Sequence, residues 1–196
     1  MNTRTMSPND STTDGTATPK EGDQDIAQGA YEAAGFGTLY LVWSSRGITH
    51  LTLPGGKHPY SAEAGPPVHA IPAAWQRVLD DYFRGEVIEF DAIPVAPRGT
   101  EFQRQVWAAL RRIPHGKVRP YSGVAADISN PRAMRAVGAA NGKNPVPILV
   151  PCHRVVEQDH KLGGYSGGIE VKKMLLRLEG ARLEGDEVLP GQLKLL

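Results

Sequence analysis

Cys152 and His153 stand side by side in the run Pro151-Cys152-His153-Arg154-Val155-Val156, and Cys152 is the only cysteine in 196 residues. A thiol at its ordinary pKa of about 8.5 is a weak nucleophile, and a base or a positive charge nearby raises its thiolate fraction. An adjacent imidazole supplies such a base. One cysteine cannot build an internal disulfide or a multi-cysteine metal cage, so two readings compete: a reactive nucleophile, or a buried structural thiol, since free cysteine is among the most buried residue types. The residues around it decide between them.

Charge divides the chain. Residues 1–97 hold 6 Lys and Arg against 12 Asp and Glu, a net −6, whereas residues 98–180 hold 14 against 6, a net +8. A basic segment around the candidate nucleophile fits a polyanionic partner, because lysines and arginines that neutralise phosphates release condensed counterions. A solvated basic face without a partner is the alternative. The first thirty residues are polar and contain no apolar block of the kind a signal peptide or membrane anchor needs. They are expected to form a disordered tail over residues 1–34, in a cytoplasmic protein with no membrane partner.

The elements that must hold Cys152 are read from hydrophobic periodicity. Residues 39–43 and 48–53 read as strands joined by Ser44-Ser45-Arg46-Gly47, with loop over 54–67. Trp75, Val78, Leu79, Tyr82 and Phe83 share one face of a helix over 73–83, which Gly85 stops. Residues 87–90 offer a further strand, and 94–100, with Pro94 and Pro97, a linker. Thr100 caps a helix in which Phe102, Val106, Leu110 and Ile113 share a face, and Pro114-His115-Gly116 ends it. Ser122 is expected to cap a short helix to about residue 128. Asn130-Pro131 opens another to about residue 141.

These last two helices, broken at Ser129, have helix-turn-helix proportions. The second carries Arg132 and Arg135 among Ala133, Ala136, Gly138, Ala139 and Ala140, small residues that allow close approach to a duplex groove or to a neighbouring helix. The expectation is an α+β fold. A small N-terminal sheet-plus-helix domain over 35–93 precedes a mostly helical domain over 101–180, and 181–196 form a C-terminal tail.

Five stretches then stand in a telling order: Phe102-Gln103-Arg104-Gln105-Val106-Trp107; Arg135-Ala136-Val137-Gly138; the run over 144–156, which opens Asn144-Pro145-Val146-Pro147 and closes with the Cys152-His153 motif; Gly164-Tyr165-Ser166-Gly167-Gly168; and 175–180. In sequence and spacing, 102–180 strongly resembles the methylated-DNA–protein-cysteine methyltransferases, the O6-alkylguanine-DNA alkyltransferases. Residues 35–101 suit that family's looser N-terminal domain.

The resemblance implies DNA repair by direct reversal. A damaged guanine is rotated out of duplex DNA and its O6 alkyl group is moved irreversibly onto Cys152, once per molecule, with O4-alkylthymine left open as a second substrate. It further implies that His153 accepts the thiol proton through a water and that Glu179 orients His153. Tyr165 and the Ser166 amide support the leaving guanine, the carbonyls of Cys152 and Val155 read the base edge, Pro147 walls the pocket, and Asn144 bridges the DNA-binding helix and the cysteine loop. On the DNA side it implies that Arg135 fills the space of the extruded base, that Tyr121 crowds the 3′ phosphate, and that Ser122 and Asn130 reach phosphates from a helix seated in the minor groove. No cofactor and no metal are expected, and the chain is expected to be a monomer, with cooperativity on DNA open.

Arg119-Pro120 before Tyr121, Gly123-Val124, and the charged stretch from Glu157 to Lys161 depart from the family's pattern. Two other functions are weighed beside transfer. One is a non-catalytic sensor of alkylation damage, a class in which the cysteine is replaced. The other is a cysteine hydrolase, in which the base usually lies far from the cysteine in sequence.

Overall fold

The computed structural model describes residues 26–55 and 69–189. Its first element is an antiparallel sheet of β1 (Ala27–Ala33), β2 (Gly37–Ser44) and β3 (Gly47–Thr52), in that order. Alternation sets the register: Ala30 pairs with Tyr40 and Leu41 with Leu51, so that Tyr31, Leu39, Leu41, Ile48 and Leu51 are buried. Strand β1 lies inside the stretch expected as polar tail. Its buried face is Gly29, Tyr31 and Ala33, of which Tyr31 alone is a large apolar side chain, a signal too thin to stand out in a polar sequence.

Helix α1 (Ala73–Phe83) packs its apolar stripe on this sheet and buries Leu79 and Tyr82. Full burial of such side chains contributes roughly 1.5–3 kcal/mol each. No strand follows. Val87 is 78% exposed, and Phe90–Ala92 form one 3-10 turn around the buried Phe90. The stretch read as a linker is bonded along β3: Ile48 N–H donates to Pro94 O at 2.9 Å and Ala96 N–H to Ile48 O at 2.8 Å. The expected loop over 54–67 falls largely outside the described residues.

Helix α2 (Glu101–Arg111) begins with a full capping box, in which Thr100 Oγ1 accepts from Gln103 N–H and Gln103 Oε1 accepts from Thr100 N–H. Its Val106, Trp107 and Leu110 are buried, and Trp107 Nε1 donates to Ala140 O at 2.9 Å, locking α2 onto the helix that contains Ala140. Strand β4 (Arg119–Pro120) leads directly into α3 (Tyr121–Asp127). The N-cap is Pro120 rather than Ser122, because the helix opens two residues earlier than expected and Ser122 Oγ donates instead to Gln158 Oε1 at 2.7 Å.

Ser129, at φ 56°, turns the chain into a 3-10 turn over Pro131–Ala133, which continues as α4 (Met134–Gly142). Asn130 sits at the cap position of that turn without a capping side-chain hydrogen bond. Strand β5 (Val155–Val156) pairs in parallel with β4 immediately after the Cys152–Arg154 turn. Helix α5 (Ile169–Leu178) follows, then a hairpin of β6 (Leu183–Glu184) and β7 (Glu187–Val188) within the stretch expected as a tail. These strands are two residues each, too short to leave a periodic signal. Val188 is nonetheless 2% exposed and joins a small core with Val118, Val156, Leu162 and Leu176. No helix among the described residues is long and apolar enough to cross a membrane.

Candidate active site

The centre of the site is the 3-10 turn Cys152–Arg154, in which all three residues are buried. Its approach, 144–151, is irregular and almost wholly buried, and Ile148 lies in the left-handed region at φ 72°, a rare conformation for a β-branched residue. Such strain persists only where the surroundings over-determine it. Here the surroundings include the sheet, since Leu51 N–H of β3 donates to Pro145 O at 2.8 Å.

Asn144 is the hub of this loop. Its Nδ2 donates to Val150 O at 2.7 Å and to Cys152 Sγ at 3.0 Å, and its Oδ1 accepts from Val146 N–H at 3.0 Å. Asn141, on α4, reaches the same turn, with Nδ2 donating to Cys152 O at 3.5 Å. Burial pushes the Cys152 thiol above its ordinary pKa, opposed by the Asn144 hydrogen bond, by Tyr165 and by the Lys172 charge. The resting group is therefore a thiol beside several groups that favour its thiolate. The Tyr165 hydroxyl is buried beside Cys152, near enough for the two to shift each other's pKa yet outside normal hydrogen-bond geometry. Burial, then Cys152, raises Tyr165 well above its ordinary value, so it stays a donor.

Tyr165 is placed by the turn that follows it. Gly168 N–H closes that turn on Tyr165 O at 3.0 Å, and a Cβ on Gly167 would meet Leu53 Cδ1 at 2.5 Å, so that any larger residue there requires the Leu53 side chain to shift. Ser166 is exposed on the same turn, and Pro147 and Val155 are buried on either side of Cys152 along the chain.

His153 Nε2–H donates to Glu179 Oε1 at 2.8 Å, which assigns the proton to Nε2 and leaves Nδ1 as the basic nitrogen, buried and without a hydrogen-bond partner. Burial lowers the His153 pKa despite the carboxylate beside it, so the ring is neutral near pH 7. Glu179 itself is 6% exposed and accepts from every side. Tyr82 OH donates to Oε1 at 2.9 Å, Arg154 donates through Nη2 to Oε1 at 3.0 Å and through Nε to Oε2 at 2.9 Å, and Gly116 N–H approaches Oε2 at 3.3 Å. Burial alone would raise this carboxyl, but His153 and then Arg154 outweigh it and hold it well below the usual carboxylate range. With His153 neutral, the lasting counter-charge is the Arg154 guanidinium, itself 1% exposed and fixed by donation from Nη1 to Ile113 O at 2.5 Å.

The structure thus brings together Cys152, His153, Glu179, Asn144 and Tyr165. Ser122, Asn130 and Arg135 lie on α3 and on the turn and helix that follow, while Tyr121 packs against the core that holds Cys152, where burial and then the nearby thiol raise its pKa. Tyr121, the first residue of α3, is half-buried and packs beside Gly138 of α4, where an added Cβ would lie 3.8 Å from its ring. Arg135, Ala136 and Ala139 are exposed on α4, as is Asn130 before it. Arg119, where the sequence departs from the family pattern, donates to both carboxylate oxygens of Asp127 at 3.0 and 2.6 Å and so ties the start of α3 to its end.

Three residues of the site carried no role in the sequence reading. Arg154 lies inside the cysteine motif and its signal was available there. Tyr82, 97 residues from Glu179, had none beyond its place on an apolar helix face. Lys172 is fully buried, donates to Val155 O at 2.7 Å and to Leu162 O, and is pushed down to about 8 by burial. Among the described residues, no group of three or more His, Cys, Asp or Glu stands together as a metal cage.

Comparison with known proteins gives the relatives of this chain. A model of the DNA-binding domain of 6-O-methylguanine DNA methyltransferases matches residues 101–181. The methylated-DNA–protein-cysteine methyltransferase of Methanosarcina barkeri is 41% identical over 153 residues, covering 73% of this chain and 90% of that protein. That of Salmonella typhimurium is 53% identical over 102 residues, covering 52% of this chain and 60% of the relative. Among solved structures, the O6-methylguanine methyltransferase of Mycobacterium tuberculosis is similar at a TM-score of 0.71 and 40% identity, over 82% of this chain and 96% of its own. The same organism's OGT in complex with DNA is similar at 0.71 over 79% and 93%.

Proposed function

This chain belongs to the methylated-DNA–protein-cysteine methyltransferases, and on that premise we propose that it repairs duplex DNA by moving the O6 alkyl group of an extruded guanine onto Cys152 Sγ, one group per molecule. The observation that carries the reading is the buried relay itself: Asn144 on Sγ at 3.0 Å, and His153 on Glu179 at 2.8 Å. Nucleophile, base and orienter are adjacent and out of water, where each electrostatic contact is stronger.

In the reaction, the Cys152 proton passes to His153 Nδ1 by way of a water, and the sulfur lone pair attacks the alkyl carbon. The bond from that carbon to O6 breaks and its electron pair leaves with guanine. The new imidazolium is balanced by Glu179. The Tyr165 hydroxyl and the Ser166 amide face the charge that develops on the purine, and the carbonyls of Cys152 and Val155 accept from the base edge, against Pro147. Because the product is a thioether, no step restores the thiol.

Burial of the thiol supports base rotation. Cys152 is 1% exposed, which favours a guanine that leaves the helix, at a cost of a few kcal/mol, over one that stays stacked. We assign that work to the pair α3 and α4, read as a helix-turn-helix whose small face, Ala136 and Ala139, lies in the minor groove. Arg135 fills the space left in the stack and Tyr121 crowds the 3′ phosphate. Asn130 and Ser122 meet phosphates, and for Ser122 that contact replaces its bond to Gln158. O6-alkylguanine is the substrate class.

Replacement of Cys152 by alanine tests the assignment. The variant is expected to transfer nothing from an O6-methylguanine duplex while still binding it, as read by fluorescence anisotropy. Stoichiometric transfer by Cys152→Ala would place the nucleophile elsewhere.

A further inference from the structure

The hairpin after Gly180 is bonded to the loop that joins the cysteine turn to Tyr165. Residues 157–162 leave β5 just beyond the Cys152–Arg154 turn and lead to Tyr165, whose hydroxyl is buried beside Cys152. The hairpin holds it from outside: Leu162 N–H donates to Asp186 O at 2.8 Å, Val188 N–H donates to His160 O at 3.0 Å, and Lys161 bridges Glu187. Asp186 is in turn clamped to α5 by Lys173 Nζ at 2.6 Å. Inward, Leu162 O accepts from Lys172 Nζ, the same ammonium that donates to Val155 O at 2.7 Å. Hydrogen bonds therefore run unbroken from Asp186 through Leu162 and Lys172 to Val155, three residues from the nucleophile.

We propose that the hairpin β6–β7 is a positioning element for alkyl transfer: through Leu162 and Lys172 it fixes the carbonyl of Val155 and the wall that carries Tyr165. This rests on Cys152 being the alkyl acceptor. The hairpin residues touch no reacting atom and act only through the loop.

Gly185 offers a clean perturbation. It begins the two-residue turn at φ 57°, and a Cβ there meets nothing within 4 Å. Valine is excluded from this backbone region, whereas asparagine is a regular occupant of such turns. Full-length Gly185→Val and Gly185→Asn are compared with wild type on an O6-methylguanine duplex and on free O6-benzylguanine. Gly185→Val is expected to slow transfer from both substrates at saturation by about tenfold or more, short of the roughly 10²-fold that a 1 Å misplacement costs. Its duplex Kd should stay within about twofold, and Gly185→Asn should match wild type.

If valine unfolds the chain, Asp186→Ala, which removes only the Lys173 clamp, carries the test with the same signature in weaker form. Wild-type saturated rates in a valine variant whose Leu162 and Val188 amides have lost their hydrogen-exchange protection overturn the proposal. Absence of transfer by the wild-type chain overturns its premise instead, and is distinguished because it appears before any substitution.

Discussion

Replacing Glu179 by glutamine is expected to damage stability and chemistry together. The carboxylate accepts three hydrogen bonds on Oε1, from His153, Tyr82 and Arg154, and two on Oε2, from Arg154 and Gly116. An amide has one acceptor oxygen. Its better orientation keeps that oxygen at Oε1 and turns the NH2 group toward two donors, the Arg154 Nε–H and the Gly116 N–H. The guanidinium, 1% exposed, is then a buried charge without a counter-charge. Breaking such a pair costs about 3–5 kcal/mol, a large part of the roughly 5–15 kcal/mol that holds a domain folded.

The chemical step suffers separately. When His153 takes the thiol proton, the imidazolium forms beside Arg154 with no anion to balance it. General-base work contributes about 10²–10⁴ in rate, so single-turnover transfer should fall by about 10² or more. Urea unfolding and quenched-flow transfer measure the two losses. The double variant Glu179→Gln with Arg154→Met removes the orphaned charge, and should recover more than half the stability while transfer stays slow. A stability loss below about 1 kcal/mol, or a single-variant rate within about threefold of wild type, would refute the reasoning.

Other perturbations separate the parts of the account. Arg135→Ala should slow repair of duplex DNA far more than transfer from free O6-benzylguanine, and equal losses would remove its extrusion role. Tyr82→Phe deletes one buried donor to Glu179 and is expected to cost about 1–2 kcal/mol in urea unfolding, with Arg154 still satisfying the carboxylate. Acid should unfold the chain early. His153 and Glu179 both have folded pKa values below their unfolded ones, so both bind fewer protons when folded and stability rises with pH. The His153 part is complete above about 6.5 and is lost as pH falls toward its lowered folded value. The Glu179 part is lost only below the ordinary carboxylate range, with a slope near 1.4 kcal/mol per pH unit for each proton. Transfer should accordingly hold its rate as pH falls through 6.5, where an ordinary histidine base fails, and a rate halved at that pH contradicts the lowered His153 value.

Much of the site was legible because its chemistry is local. Cys152, His153 and Asn144 lie within ten residues, Tyr165 follows closely, helix 73–83 shows in its apolar stripe, and Thr100 stands as a cap before the apolar face of the next helix. What escaped reading depends on distant partners or on elements too short to show a period. Tyr82 looks like any core tyrosine until the fold brings it to Glu179, and nothing in the composition of Leu183 to Val188 distinguishes a paired hairpin from a polar tail. Ser122 was read as a cap from residue type alone, yet the chain enters α3 through Pro120 and turns that hydroxyl to Gln158. Strand β1 is the same case: its pairing with β2, rather than its own hydrophobicity, makes it a strand.

The most direct test of single-use transfer to a buried thiol is a titration of the protein with a duplex bearing one O6-methylguanine, followed by intact and peptide mass spectrometry. A gain of one methylene group confined to the Cys152 peptide, with repaired DNA never exceeding protein, is the predicted result. Repaired DNA in excess of protein, a methyl group on another residue, or stable binding with no mass gain would contradict it.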